Sequence, residues 1–145
     1  MTNDTLPEPL AEIRDDFLAL EMKTRLQLLL EFSNELPELP ARYADHPDLL
    51  ERVVECQSPV FIFVEVDDSS TVHMFATAPP ESPTTRGFAS ILVQGLSGLS
   101  AAEVLAVPDD YPNSIGLTAA VSPLRIRGMT GMLARVKRQI RAKAA

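Results

Sequence analysis

The sequence holds a single cysteine, Cys56, in 145 residues. One thiol closes no internal disulfide and cannot by itself supply a thiolate-rich metal site. Any sulfur chemistry must run through that one atom, as a nucleophile or a covalent carrier. Histidine is also scarce, with only His46 and His73, too few and too scattered for a metal centre. Positive charge is in deficit: the formal net charge is −7, which argues against nucleic-acid and anionic-membrane partners, since both attract basic surfaces. No apolar run approaches the ~20 residues that span a bilayer. The start, Met1 to Pro9, lacks the basic and apolar stretches of a secretory signal, so a cytoplasmic location is expected. There is no phosphate-cradling glycine loop, no internal repeat and no low-complexity tract.

What is present is the composition of one globular domain. Apolar residues make up 46% and charged residues 23%, and a chain of this length buries a core without cross-links. Residues 1–9 read as a flexible polar lead-in, and residues 10–145 as a single domain. Leu10, Ile13, Phe17 and Leu20 recur at helical spacing. A second helix is expected from near Met22 to Glu35, its stripe of Met22, Leu26, Leu29 and Leu30 broadened by Leu28 and Phe32, which implies burial on more than one side. Pro37 and Pro40 stop it. After a connector over 41–50, strand character begins at Arg52, returns in Val60 to Val64, and continues across a hairpin at Asp67 to Ser70 into Thr71 to Thr77. Ser82 and Pro83 suit a helix start. Phe88, Ile91, Leu92 and Leu96 form that helix's apolar stripe, with Gly95 or Gly98 as terminator. Ser100 and Glu103 have capping-box spacing. Met129, Met132, Leu133, Val136 and Ile140 share one face of a last helix. Helices on one side of a small antiparallel sheet make an α+β fold.

Cys56 lies between two apolar runs, at a turn where a side chain is presented. A lone cysteine also serves as an ordinary small core residue, and composition does not separate these readings. The surrounding run, Arg52-Val53-Val54-Glu55-Cys56-Gln57-Ser58-Pro59-Val60-Phe61, resembles the sulfur-acceptor loop of the SufE family. The likeness continues in Leu29-Leu30-Glu31-Phe32 and Leu36-Pro37-Glu38-Leu39-Pro40. It is carried on by Arg86-Gly87-Phe88-Ala89, Gly116-Leu117, Ser122-Pro123, Arg125 and Gly128-Met129, in order over roughly residues 10 to 141. The resemblance implies the α+β architecture shared with IscU-type scaffolds. It implies an activity too: accepting persulfide sulfur from a SufS-like cysteine desulfurase, stimulating that enzyme, and passing sulfur to a SufB-like iron–sulfur scaffold. Pyridoxal phosphate then belongs to the desulfurase, and no cofactor is expected on this chain.

In that frame Cys56 is the acceptor and Arg125, at the family arginine position, is a cation that would stabilise thiolate or persulfide. Without such a contact Arg125 is a surface arginine. Glu55 would oppose ionisation of a neighbouring thiol, while Gln57 and Ser58 shape the loop. Pro59 replaces a polar family residue, Phe61 keeps an aromatic where tryptophan is common, Glu81 holds an acidic position, and Ala120 stands where the family has a histidine. The sulfur is expected at a loop tip, turned into an apolar hollow lined by Val60 or Phe61. His46 and His73 invite a Cys–His pair, with structural or solvated roles as the alternative. Arg125, Arg127, Arg135, Lys137, Arg138, Arg141 and Lys143 follow Asp110 with no intervening acid. They form either a solvated helix face matching the helix dipole or a docking surface for an acidic partner. Two rival functions remain open: a thiol-independent adaptor that regulates a partner, and a paralogue delivering sulfur to another acceptor.

Overall fold

The computed structural model describes residues 6–144; the first five residues of the expected lead-in lie outside them. Helix α1 (Glu8–Leu18) begins with Pro9 in its first turn, where the missing amide costs nothing. It is followed by α2 (Met22–Asn34), the one-turn α3 (Ala41–Ala44), a short 3-10 turn (Pro47–Leu49), and strands β1 (Glu51–Arg52), β2 (Phe61–Val66) and β3 (Val72–Thr77). The chain then forms α4 (Pro83–Leu96), α5 (Ala101–Leu105), α6 (Tyr111–Ser114) and α7 (Pro123–Ala144). The strands are antiparallel in the order β1-β2-β3. Among the described residues no helix is long and apolar enough to cross a membrane.

Strand alternation decides which sheet face is buried. Ile62, Val64, Val72, Met74 and Ala76 point into the core, against α4 and α7. Phe63 and Phe75 lie on the opposite face, where Tyr43 of α3 covers them with ring centroids 4.8 and 5.1 Å away. Helix α4 is the centre of the domain, with Phe88, Ala89, Ile91, Leu92 and Leu96 all within 1% of full burial. The Ser100–Glu103 capping box forms with both of its hydrogen bonds.

Two expectations change on packing grounds. Helix α2 buries only one side: Leu29 is enclosed, but Leu26 and Leu30 are 37% and 46% exposed, because α2 meets the domain chiefly along α4. Gly95 is not a helix terminator. It lies inside α4, where a Cβ would collide with Leu10 of α1; the turn out of the helix is made by Gly98, at φ +94.

Gly87 has a comparable role between α4 and α2. A Cβ there would stand 2.6 Å from the Leu29 carbonyl oxygen, a backbone atom that cannot swing aside. Gly87→Ala should therefore lower stability by about 1–3 kcal/mol in chemical denaturation, outweighing the ~1 kcal/mol that alanine gains in helix propensity.

Candidate functional site

The connection from β1 to β2 carries the thiol. The Val53 amide donates to the Val60 carbonyl (2.9 Å), closing the loop at its base, and the Cys56 amide donates to the Val53 carbonyl (3.1 Å) in a tight turn. The turn directs Cys56 inward, leaving it 7% exposed, while Val54 beside it is 68% exposed. The loop rests on α7, whose surface is notched by glycine. A Cβ on Gly128 would lie 2.9 Å from Cys56 Sγ, and one on Gly131 would lie 2.7–2.8 Å from the Glu55 carboxyl group. Two side chains of the loop thus occupy the space that two missing side chains leave on the helix.

The hollow around the sulfur is small, about 40 Å3, and is lined by Glu55, Gln57, Ser58, Thr85, Leu124, Arg125 and Gly128. The expected site residues Cys56, Arg125, Glu55, Gln57 and Ser58 therefore converge on one place. The expected walls do not: Val60 is fully buried in the core, and the Phe61 ring has the Arg52 guanidinium over it at 5.9 Å. The hollow is largely polar because the starts of α4 and α7, not β2, enclose it. Its rim is fixed from α4 by the Ser58 and Ser82 hydroxyls, which share a hydrogen bond of 2.5 Å. Ser82 spends its hydroxyl there and makes no side-chain cap for α4.

Arg125 is exposed at the mouth of the hollow. The cation that engages the loop is instead Arg135, whose Nη1 donates to Glu55 Oε1 at 2.5 Å. Its Nε lies 3.3 Å from Glu51 Oε2, and Glu51 also pairs with Arg138 and accepts from Gln139 Nε2 at 2.8 Å. Arg135 escaped sequence reasoning as a site residue because its partner is 80 positions away. A signal was present nonetheless: Gly128, Gly131 and Arg135 fall on one helical face, and two glycines inside a long helix need a packing reason.

Other basic residues of α7 are also used internally. The buried Lys137 pairs with Asp109 at 2.7 Å, and Lys143 lies 3.7 Å over the Phe63 ring. The run of cations is thus not a plain solvated face: Arg135, Lys137 and Lys143 make contacts within the domain, and Arg125, Arg127, Arg138 and Arg141 are exposed. Neither histidine lines the hollow: His46 is exposed in the connector, and His73 pairs with Asp67 at 3.0 Å by the hairpin. Glu81 is exposed, and Ala120 packs against the core. Among the described residues no three His, Cys, Asp or Glu side chains gather where they could hold a metal ion.

Burial pushes the Cys56 thiol up to about 11, with the Glu55 carboxylate adding to the rise and Arg135 opposing it. The hydrogen bond from Arg135 holds the Glu55 carboxyl below its ordinary range. In the seated loop the thiol is therefore overwhelmingly protonated at neutral pH. The thiol pKa of the folded chain lies above the ~8.5 of an unfolded one. The unfolded state thus releases its proton first, and stability is lost as pH rises from about 8.5 toward 11. Titrating thiolate absorbance in the folded chain should give a midpoint well above that of a free thiol. Cys56→Ala should flatten the alkaline fall in stability seen by denaturation over the same range.

The comparisons with known proteins converge. A SufE family profile, described as an Fe-S metabolism associated domain, matches residues 11–140. An uncharacterised SufE-like protein of Mycobacterium tuberculosis is 52% identical over 137 residues, 94% of each chain. The SufE-like protein 1 of Arabidopsis thaliana, described as chloroplastic/mitochondrial, is 30% identical over 131 residues, covering 90% of this chain and 34% of that protein. A solution structure of a hypothetical protein from Thermus thermophilus superimposes with a TM-score of 0.84 at 34% identity, over 96% of this chain and 98% of the other. With its sheet order, its cysteine loop and these relatives in agreement, this chain belongs to the SufE family, whose domain is associated with Fe–S metabolism.

Proposed function

We propose that the chain is a sulfur carrier of iron–sulfur metabolism, with Cys56 taking sulfane sulfur from a persulfide on a SufS-like cysteine desulfurase and delivering it to a SufB-like scaffold. The observation that carries this reading is the placement of the one thiol: on a loop rather than in a helix, yet turned into a hollow of about 40 Å3. A cavity needs only about 10–15 Å3 on this measure to hold one water, so the hollow has room to shelter one additional sulfur from reductants. Transfer itself needs the loop to open. The Cys56 thiol loses its proton to solvent or a partner base, and the thiolate attacks the outer sulfur of the donor persulfide. The old S–S bond breaks, the donor cysteine leaves as thiolate, and a new S–S bond forms on Cys56, with no net change in oxidation state. Delivery repeats the step with Cys56 as the leaving group. The pyridoxal phosphate chemistry belongs to the desulfurase, and the carrier uses no cofactor of its own.

The high thiol pKa fits this division of states. A seated, protonated sulfur is a poor nucleophile, whereas a presented one is hydrated and lies beside Arg125, whose guanidinium favours thiolate and persulfide anions. Gln57 and Ser58 hold the loop's shape on either side of that change.

Incubation with cysteine and a cognate desulfurase should add one sulfur, roughly 32 Da, to the Cys56 peptide by mass spectrometry. Cys56→Ser should abolish the adduct and the stimulation of desulfurase turnover while preserving partner binding. Full stimulation by the serine variant would replace the carrier reading with that of an adaptor. Arg125→Ala should slow sulfur acceptance several-fold with an unchanged melting temperature, and Arg125→Lys should recover part of the loss. Acceptance equal to that of the parent in both would reduce Arg125 to a surface residue.

A further inference from the structure

We propose that Arg135 is a positioning residue that latches the cysteine loop shut: its ion pair with Glu55 holds Cys56 in the glycine-notched face of α7, and the loop opens only when that pair is broken or exchanged. This rests on the reading of Cys56 as a sulfur acceptor, but its test does not require sulfur transfer.

Three observations carry it. The first is connectivity. Among the described residues, the Arg135–Glu55 pair is the one hydrogen bond or ion pair between the cysteine loop and α7. The remaining loop contacts with that helix are van der Waals seating at Gly128 and Gly131. Glu55 is the neighbour of Cys56 in the chain, so releasing its carboxylate frees the residue that follows it.

The second is asymmetry. Arg135 is the stationary half. Its side chain is 17% exposed, and it is flanked by Glu51, which Arg138 and Gln139 hold in turn. Gln139 also accepts from the Val64 amide of β2 at 2.9 Å, so this network is continuous with the sheet. Glu55 is the moving half. Its side chain is 36% exposed, within reach of a docking protein. A partner cation is the group that exchanges with Arg135 for that carboxylate.

The third is fit. Gly131 admits the Glu55 carboxylate to the helix surface and Gly128 admits the sulfur. Arg135 follows one turn after Gly131 on the same face. Seat and latch are thus built from a single helical stripe.

The latch makes a prediction opposite in sign to a purely electrostatic role. A cation that merely favoured thiolate would, on removal, make Cys56 alkylate more slowly. Removing a latch makes it alkylate faster. Iodoacetamide labelling of the folded full-length chain, followed by mass spectrometry at fixed pH, should show Arg135→Ala and Glu55→Gln each raising the rate about three- to fivefold. That is the scale of one partly exposed charge-assisted contact. The double variant should be no faster than the faster single one, because both remove the same contact. Arg135→Lys should fall between parent and alanine. Added salt should speed labelling of the parent but not of Glu55→Gln. Arg141→Ala, which removes an exposed cation of the same helix outside this network, should label like the parent. Slower labelling of Arg135→Ala, additive effects in the double variant, or equal acceleration by Arg141→Ala would each overturn the latch. Should Arg135→Ala not fold, Arg135→Gln, which also removes the cation, takes its place. Faster labelling than the parent then supports the latch and slower labelling overturns it, whereas Glu55→Gln alone would speed labelling through the thiol's charge environment as well. Failure of the persulfide adduct in the parent, with these labelling rates as expected, would refute the carrier reading and leave the latch standing.

Discussion

Helix α7 closes the core with one face and receives the cysteine loop on another, and the rest of the structure depends on its doing both. Met129, Met132, Leu133, Val136 and Ile140 are each at most 1% exposed and pack toward β2 and α4. Burial of such side chains stabilises the fold by about 1.5–3 kcal/mol apiece. With the helix held that firmly, the glycines beside the apolar stripe become fixed features of a rigid surface. Their notches accept Glu55 and Cys56 because nothing on α7 can shift to fill them. The sulfur's shelter, the thiol's raised pKa and the loop's charge partner all follow from where this helix sits.

The polar groups of the domain serve the same geometry. Arg25 donates to the carbonyls of Phe17 and Leu20 (both 2.8 Å), closing the end of α1, and to Gly116 at 2.8 Å in the distant segment before α7. Gly116 sits at φ +83, where a Cβ would strike that guanidinium. Arg86 likewise satisfies the carbonyls of Ser33 in α2 and Ala78 beyond β3. These arginines bond to backbone carbonyls at helix ends and in connecting segments, tying distant parts of the chain together. They fix the helices that in turn fix the site. Glycine at 87, 116 and 128 therefore belongs to the architecture as much as any apolar residue, since each marks a place where two segments touch closely.

Chemically, the seated loop combines protection with low reactivity. Desolvation and the Glu55 carboxylate keep the sulfur protonated, which lowers thiolate attack and oxidation together. On the proposed carrier reading, reactivity is restored by a conformational step, and the transfer depends on a two-state loop rather than on a permanently activated nucleophile. The exposed Val54, Leu124 and Arg125 surround the point at which the sulfur would emerge.

The sequence alone determined the local pattern. Alternation in Phe61 to Val66 and in Val72 to Thr77, the spacing of Ser100 and Glu103, and the apolar stripe of the last helix are set by residues within a few positions of one another. That is the range over which helix and strand periodicity acts. The ordered motifs around Cys56 likewise marked the family, the thiol and the residues that share its hollow. Only the tertiary structure decided which way the sulfur faces and what holds it. Glu55 and Arg135 are 80 positions apart, and Gly128 meets Cys56 across the fold. The exposure of Leu26 and Leu30, the burial of Gly95 and the diversion of Ser82 to Ser58 were equally illegible. Each depends on whether a distant segment arrives at that face, and the spacing of residues along the chain carries no record of that distance.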